Sequence, residues 1–374
     1  MKVEIQEVQT KQHVEAFIKF PRTLYAPESL WVRPLNSVIR DCLDFKHNPF
    51  YRDGCGQAFL AKRGQQTVGR ILAHVWRRHH KVHGERVGYF GFFECHNDPE
   101  ASQALLDKAV EWVQHEACSV IRGPFNMTAA QEMGIITKGF DKTPGIDMVY
   151  TQPWYPMLLD QAGFRPCFRM QTWSNDNLAA LDSEQLLTPR TKAFQTDYNV
   201  QIRALNSRRR IADLEQVREI INAAFFGNWS FVPITQDEWK LQIGPLIPLL
   251  DPELIQMAEI NGVPVGACLA VPDFNSILRR LNGRLLHPAA LQLLRNPPID
   301  TAVLILYAVR KQFQGLGVSR MLNAALVKAL RNRGYRRLAA TWIDNNNVAS
   351  QQCARMLGMQ PMHDLAMYEK KLMS

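Results

Sequence analysis

Two glycines, at positions 315 and 317, mark the stretch of this chain best suited to chemistry. It reads Leu306-Tyr307-Ala308-Val309-Arg310-Lys311-Gln312-Phe313-Gln314-Gly315-Leu316-Gly317-Val318-Ser319. An apolar run ends at Val309, a short polar loop follows, and an amphipathic pattern begins after Gly317. Glycine lets a backbone approach a ligand closely. The free N–H groups of a first helical turn point outward and, with the helix dipole, make a site for phosphate oxygens. Arg310 and Lys311 add positive charge nearby. The same residues also suit a helix start that merely sits tightly on a sheet, and that reading stands beside the first. Two other phosphate motifs fail: GxxxxGK[ST] is absent, and GxGxxG is broken because residue 320 is Arg.

Other chemistries find less support. His79, His80 and His83 lie in an Arg- and Lys-rich stretch without carboxylates, which disfavours a dication. The 7 cysteines are scattered and form no CxxC pair, so neither a zinc knuckle nor a disulfide framework is expected. No Gly-x-Ser-x-Gly elbow is present, which leaves a serine hydrolase unsupported.

The elements that must position the loop recur in both halves of the chain. In the first half, residues 57–61 and 67–75 read as strands about an Arg63-Gly64-Gln65 turn, and 88–95 as another beyond a basic loop. A helix at 98–116 opens on Asp98-Pro99-Glu100, a strand follows at 119–122, and a helical piece at 154–161 leads into Gly163-Phe164. The second half repeats this order. Strands at 254–259 and 263–271 flank Asn261-Gly262, and a buried strand spans 302–308. A helix spans 316–333, a strand 337–343, and a helix 348–357 ends in Gly358-Met359; 366–372 reads as a closing strand. Val318, Met321, Leu322, Ala325, Leu326, Ala329 and Leu330 form the stripe of a helix lying on a sheet. The pattern predicts an α/β fold, α+β in its mixed sheet. The expected division is a first domain at 1–175, a polar linker at 176–196 and a second domain at 197–374.

The 374 residues carry a net charge of +9, with 46% hydrophobic and 21% charged residues, enough apolar content for two cores. No run of about eighteen apolar residues suggests a membrane span. The N-terminal residues include Glu4 and Glu7 and lack a secretory h-region. The cysteine usage is that of a reducing cytoplasm. The charge suits polyanionic partners, but only the charge favours nucleic acid, so none is expected.

Gln314-Gly315-Leu316-Gly317-Val318-Ser319 and its helix resemble the pyrophosphate loop of the GNAT acetyltransferase superfamily. Thr341-Trp342-Ile343-Asp344-Asn345-Asn346-Asn347, followed by the helix that ends at Gly358-Met359, resembles the family's next motif. The likeness covers roughly residues 200–372. It implies two GNAT-like domains in tandem, acyl-CoA as co-substrate, an amine acceptor and no metal. Backbone amides of Gly315, Leu316, Gly317, Val318 and Ser319 would hold the pyrophosphate. Val309 would end the strand that pairs with the pantetheine arm, Arg310 and Gln314 would flank the loop, and Asn347 would lie near the arm. Ser319 stands where Gly or Ala is usual, Ala354 replaces the Tyr that often serves as acid, and Met359 replaces Phe. The first half has no glycine loop, and Asp98 and Glu100 would repel a pyrophosphate there, so it reads as a degenerate copy. Segments such as Asn48-Pro49-Phe50-Tyr51 and Gly123-Pro124-Phe125-Asn126 also resemble a group of bacterial tandem GNAT-like proteins. That group includes acyltransferases that N-acylate sphingoid bases.

On that reading the catalytic candidates are Asp344, as base at the end of its strand, and Tyr307; Glu259 is a third. Each also has a structural reading: a helix cap, a core aromatic, an edge charge. The connection 123–151, with Asn126 and Glu132, is long enough to shape an acceptor pocket or to serve as a clamp. The leucine-rich insertion 273–298, with 245–250, suits core, an acyl tunnel or peripheral contact with the inner membrane. A non-catalytic CoA- or partner-binding scaffold is the alternative to an enzyme.

Overall fold

The computed structural model describes residues 1–128, 132–294 and 299–372. Its strands are β1 (Val3–Glu7), β2 (Gly54–Arg63), β3 (Gln66–Trp76), β4 (Val87–Cys95), β5 (Val120–Gly123), β6 (Ile135–Lys138), β7 (Arg165–Asn175), β8 (Val200–Ala204), β9 (Ile255–Ile260), β10 (Val263–Pro272), β11 (Thr301–Val309), β12 (Arg337–Asp344) and β13 (Gln360–Lys371). Two compact units are present. The first is Met1–Met170, Leu278–His287 and His363–Ser374; the second is Gln171–Ile277 and Pro288–Met362.

In the first unit the strand order is β1-β2-β3-β4-β5-β13, with β6 also on β13. The strands β1 to β4 form an antiparallel meander, β5 is parallel to β4, and β13 is antiparallel to β5. The helix Pro99–His115 lays Ala101, Leu105, Leu106, Ala109 and Val113 on this sheet. Phe59, Ile71, Phe90, Tyr155 and Phe164 complete the core. The basic stretch read as a loop is the helix Arg77–His83, closed by Gly84 at a φ of 70°. Its His79 is buried and His80 bonds Val87 O at 2.8 Å, so local contacts favour a turn of helix despite the repeated charge.

In the second unit the order is β12-β11-β10-β9-β8, with the last part of β7 beside β12. The strands β8 to β11 are antiparallel, and β11 and β12 are parallel. The helix Val318–Asn332 buries Val318, Met321, Leu322, Leu326, Val327 and Leu330 against them. The meander followed by one parallel pair, with a helix between the parallel strands, therefore occurs twice. Each unit is a mixed α/β fold of the same kind.

The closing strand joins the first unit rather than its sequence neighbours. Tyr368 pairs with Gly123 and Lys371 with Val120. Alternation decides which side chains face a core, but not which strand supplies the hydrogen bonds. The stretch between the two repeats contains the helix Pro189–Asp197, capped by Thr188, whose side chain accepts from the Thr191 amide. In the leucine-rich insertion, Ile277 and Leu281 are core while Leu285 and Leu286 are exposed. The side chains of Leu293 and Leu294, and Pro298, lie outside the described residues, as do 129–131 of the long connection.

Candidate active site

The central feature of the second unit is a place where two paired strands part. Partners of β11 and β12 run from Thr301↔Arg337 to Leu304↔Ala340 and stop there. Both strands continue, to Val309 and to Asp344. The cause lies on the other side of β11. Leu269 pairs with Leu306 but Ala270 pairs with Leu304, so Ile305 is an extra residue in the ladder. Such a bulge bends and twists its strand. Burial follows the geometry: Ala302, Val303 and Leu304 are buried, whereas Ile305, Leu306 and Tyr307 are only half so. Leu338 to Ala340 are buried, whereas Thr341 to Asp344 are half-exposed. The result is a wedge whose β11 wall carries backbone amides and carbonyls turned from their former partner. An extended ligand bearing amides can add to such a wall as a strand would.

At the mouth of the wedge, Val309 leads into a tight loop. The Arg310 amide donates to Val265 O at 2.8 Å and its Nε to Pro264 O at 3.0 Å. Gln314 Nε2 donates to Val309 O at 2.8 Å, closing the loop on itself. Lys311 Nζ donates to Phe226 O at 2.6 Å. Arg310 and Lys311 thus fasten the loop through backbone carbonyls.

Gly315 and Gly317 have φ of 76° and 96°, in the left-handed region that disfavours side chains. Gly317 is the N-cap, and no side chain caps the helix. Arg320 and Met321 donate to Gly317 O, which leaves the Val318 and Ser319 amides as first-turn donors without a helical acceptor. A Cβ added to Gly315 would meet nothing within 4 Å, so the loop's outer face is open. These residues fit a diphosphate: outward amides, a helix dipole and no competing carboxylate. On the inner side, a Cβ on Gly317 would lie 3.1 Å from Thr191 Oγ1. Thr191 was not singled out from sequence, although Thr188-Pro189 is a readable helix start.

The other candidates have local roles as well. Tyr307 OH donates to Ser319 O at 2.7 Å, tying β11 to the first turn of the helix. Burial pushes its phenol well above the usual tyrosine range, which favours the neutral, donating form. Asp344 ends β12 on the wedge, half-buried, and its Oδ1 accepts from the Asn346 amide at 2.8 Å. Asn347 caps the helix Val348–Met356 by accepting from the Ser350 amide at 3.0 Å. Glu259, on β9, is held by Arg203 at 2.7 Å, and Arg203 also binds the buried Asp213 at 2.7 Å. Ala354 is buried in the core. Val309 ends the β11 wall and leads into the glycine loop, Asp344 ends the β12 wall, and Glu259 lies on β9.

The corresponding place in the first unit is filled. Pairing of β4 with β5 stops at Tyr89↔Arg122. The chain then turns at the cis Gly123-Pro124 bond, and the Phe125 amide donates to Phe90 O at 2.7 Å. Asn126 Oδ1 accepts from the Phe92 amide at 2.7 Å. His74 Nε2 donates to Phe125 O at 2.8 Å and stacks on Tyr89. The helix start is capped by Asp98, which accepts from the Ala101 amide. Arg63 binds both Asp98 and Glu100, at 2.9 and 2.7 Å.

A mixed sheet with a bulged strand, a splayed parallel pair and a glycine-opened helix defines an acyltransferase of the GNAT class. The family model described as Acetyltransferase (GNAT) family matches residues 214–359. The chain is 30% identical over 371 residues to Protein YghO of Escherichia coli (strain K12), covering 97% of this chain and 94% of that one. It is 29% identical over 377 residues to the bacterial ceramide synthase of Caulobacter vibrioides (strain NA1000 / CB15N), covering 98% and 96%. Among solved structures, the tandem GNAT protein from the clavulanic acid biosynthesis pathway aligns with a TM-score of 0.58 at 11% identity, over 99% and 98% of the two chains. The chain belongs to the GNAT acetyltransferase family and is a tandem GNAT N-acyltransferase. As in that family generally, its co-substrate is an acyl-CoA and its acceptor an amine. Among the described residues no group of three or more His, Cys, Asp or Glu is arranged for a metal ion, and no helix is long and apolar enough to cross a membrane.

Proposed function

We propose that this enzyme transfers the acyl group of an acyl-CoA to a lipid amine of the sphingoid-base class, with the thioester held in the wedge between β11 and β12. The observation that carries the site is the parting of those strands after Leu304↔Ala340, with the glycine loop at the open end. The acceptor class rests on the 29% identity, along 98% of the chain, to a protein named bacterial ceramide synthase.

The amides of Gly315 to Ser319 bind the diphosphate of the co-substrate. The free wall of β11 up to Val309 pairs with the amides of its arm and so aims the thioester into the wedge. Arg310, Gln314 and Tyr307 hold the loop in shape, and Asn347 holds the helix beyond Asp344. The acceptor must attack as a neutral amine: a C–N bond forms, the C–S bond breaks, and the amine loses one proton. Asp344, at the end of the β12 wall, takes that proton directly or through water. The thiolate is a good leaving group, which is consistent with a chain that has Ala354 where a proton donor often stands. An acceptor of this class resides in a bilayer, so the reading includes peripheral contact with a membrane.

The test is release of free CoA thiol, with acyl-CoAs of several lengths offered against sphinganine and against short water-soluble amines. Thiol release that requires the long-chain amino alcohol supports the reading. Rapid turnover of a short amine with none of sphinganine overturns the acceptor class.

A further inference from the structure

A segment that precedes the glycine loop but belongs to the other unit suggests how this enzyme meets a lipid acceptor. Residues Leu278–His287 belong to the first unit. There the helix Asn275–Leu281 ends in a turn at Asn282 and Gly283, with φ of 45° and 78°. The turn is fastened within its own unit. The Asn36 amide donates to Gly283 O at 2.9 Å, and Arg33 donates to Asn36 Oδ1 at 2.9 Å and to Asn282 Oδ1 at 3.4 Å. Arg279 donates to the carbonyls of Ser29, Leu30 and Trp31. A Cβ on Gly283 would stand 2.6 Å from Asn36 Oδ1 and 2.7 Å from Arg33 Nε, so the backbone is seated directly on those side chains.

Beyond this anchor come Arg284, Leu285 and Leu286. Leu285 is 52% exposed and Leu286 101% exposed. Scattered exposed apolar residues need no explanation, but two adjacent leucines held outward by a polar anchor differ from a loose loop. Their surroundings are mainly cationic, and Glu15, the carboxylate that acts on the neighbouring Arg33, is paired with Arg40. Arg22 and Arg284 are both exposed. Both lie close enough to Arg33 to help push its guanidinium down to about 10, after burial, the larger cause. A second copy of the chain would have to answer this patch with acidic groups. A bilayer bearing anionic phospholipids answers both parts: headgroup phosphates meet the arginines, and the acyl boundary takes the leucines.

We propose that Arg284-Leu285-Leu286, fastened at Gly283 and flanked by Arg22, is a docking tip for an anionic phospholipid surface. The proposal deepens the lipid-amine reading and rests on it for its purpose, but the binding is measured without turnover.

The full chain is sedimented with vesicles of phosphatidylcholine, with and without phosphatidylglycerol. Binding is expected only with the anionic lipid and should weaken as salt is raised. Leu285→Ser with Leu286→Ser should lower partitioning on the order of tenfold or more, and Arg284→Glu roughly severalfold. All three positions are exposed, so melting temperatures should match the parent, and that match certifies the variants. No binding by the parent, or equal binding by the leucine variant, overturns the proposal. So does a change of oligomeric state in that variant with vesicle binding intact, which would assign the tip to a second copy. Turnover of detergent-dispersed sphinganine is measured alongside. Its absence with docking intact sinks the acceptor reading alone, and its presence without docking sinks the tip alone.

Discussion

The two units have one strand order and opposite fates at the same spot. In the second, the parallel strands part and leave the β11 wall open. In the first, they also part, but the chain that follows β5 lies back against β4, with Phe125 and Asn126 making the missing hydrogen bonds. A Cβ on Gly91 would be 2.5 Å from Phe125 O, so no room for a ligand strand remains there. The helix starts differ in the same sense. Gly317 leaves its helix uncapped, whereas Asp98 places a carboxylate on the first-turn amides and Arg63 locks it there. A fold that creates unpaired backbone must satisfy it. One unit does so with its own chain; in the other, the proposed co-substrate would take that place.

The sharpest way to break this contrast is to give the second unit the first unit's cap. Gly317→Asp should lower acyl-CoA affinity by about a hundredfold or more, read by calorimetry, because a carboxylate replaces open amides. Gly317→Asn carries the same bulk without the charge and tolerates left-handed φ better than most residues, so it should retain more affinity. Equal loss in both would point to crowding at Thr191 instead of charge.

Asp344→Asn is expected to lower kcat on the order of a hundredfold, with KM for acyl-CoA little changed. An unchanged kcat would remove Asp344 from the reaction and leave it as a turn residue.

The plug of the first unit makes a prediction in pH. His74 is fully buried, and burial pushes it down to about 4, partly opposed by its bond to Phe125 O. Its folded value lies below the unfolded 6.5, so the neutral form favours the fold. That contribution is complete above pH 6.5 and is lost as pH falls from there toward 4. His74 therefore weakens the first unit as pH falls across this window, while the buried carboxyls of Glu132 and Asp147, pushed up to about 7, act in the opposite direction. His74→Phe should remove only the first of these trends: the stability it loses near neutrality, where the Phe125 bond is gone, should shrink relative to the parent as pH falls toward 4, read by thermal melting at several pH values.

The smallest effect is the converse of the first. Asp98→Ala should cost the first unit about 1 kcal/mol of stability through loss of its cap. It should not create a second acyl-CoA site, because Phe125 still fills the gap; a stoichiometry of two would refute that explanation.

Much of this was readable in the chain. The period of Val318, Met321, Leu322, Leu326 and Leu330 marks a helix on a sheet, and the glycine pair marks an uncapped start. Asp98-Pro99-Glu100 marks a start of the opposite kind. The bulge at Ile305 was not readable, because an extra residue in a ladder is defined by its partner strand, and a lone apolar run looks the same with or without one. Nor did the sequence show that Arg310 and Lys311 turn to backbone carbonyls, since charge alone does not say which acceptor a long side chain reaches. The sequence offered a helix-cap reading for Asp344, but the cap of that helix is Asn347, and Asp344 instead accepts from the Asn346 amide within the preceding turn.

The placement of β13 bears on biosynthesis. The strand that covers β5 lies near the far end of the chain, and nearly all of the second unit is translated in between. At ~5–20 residues per second, the nascent first unit waits on the order of ten seconds or more with the edge of β5 bare. An open edge is a template for other strands. A truncation that removes 363–372 should accordingly harm the half of the molecule made first, and a chaperone that shields sheet edges would be most useful during that interval.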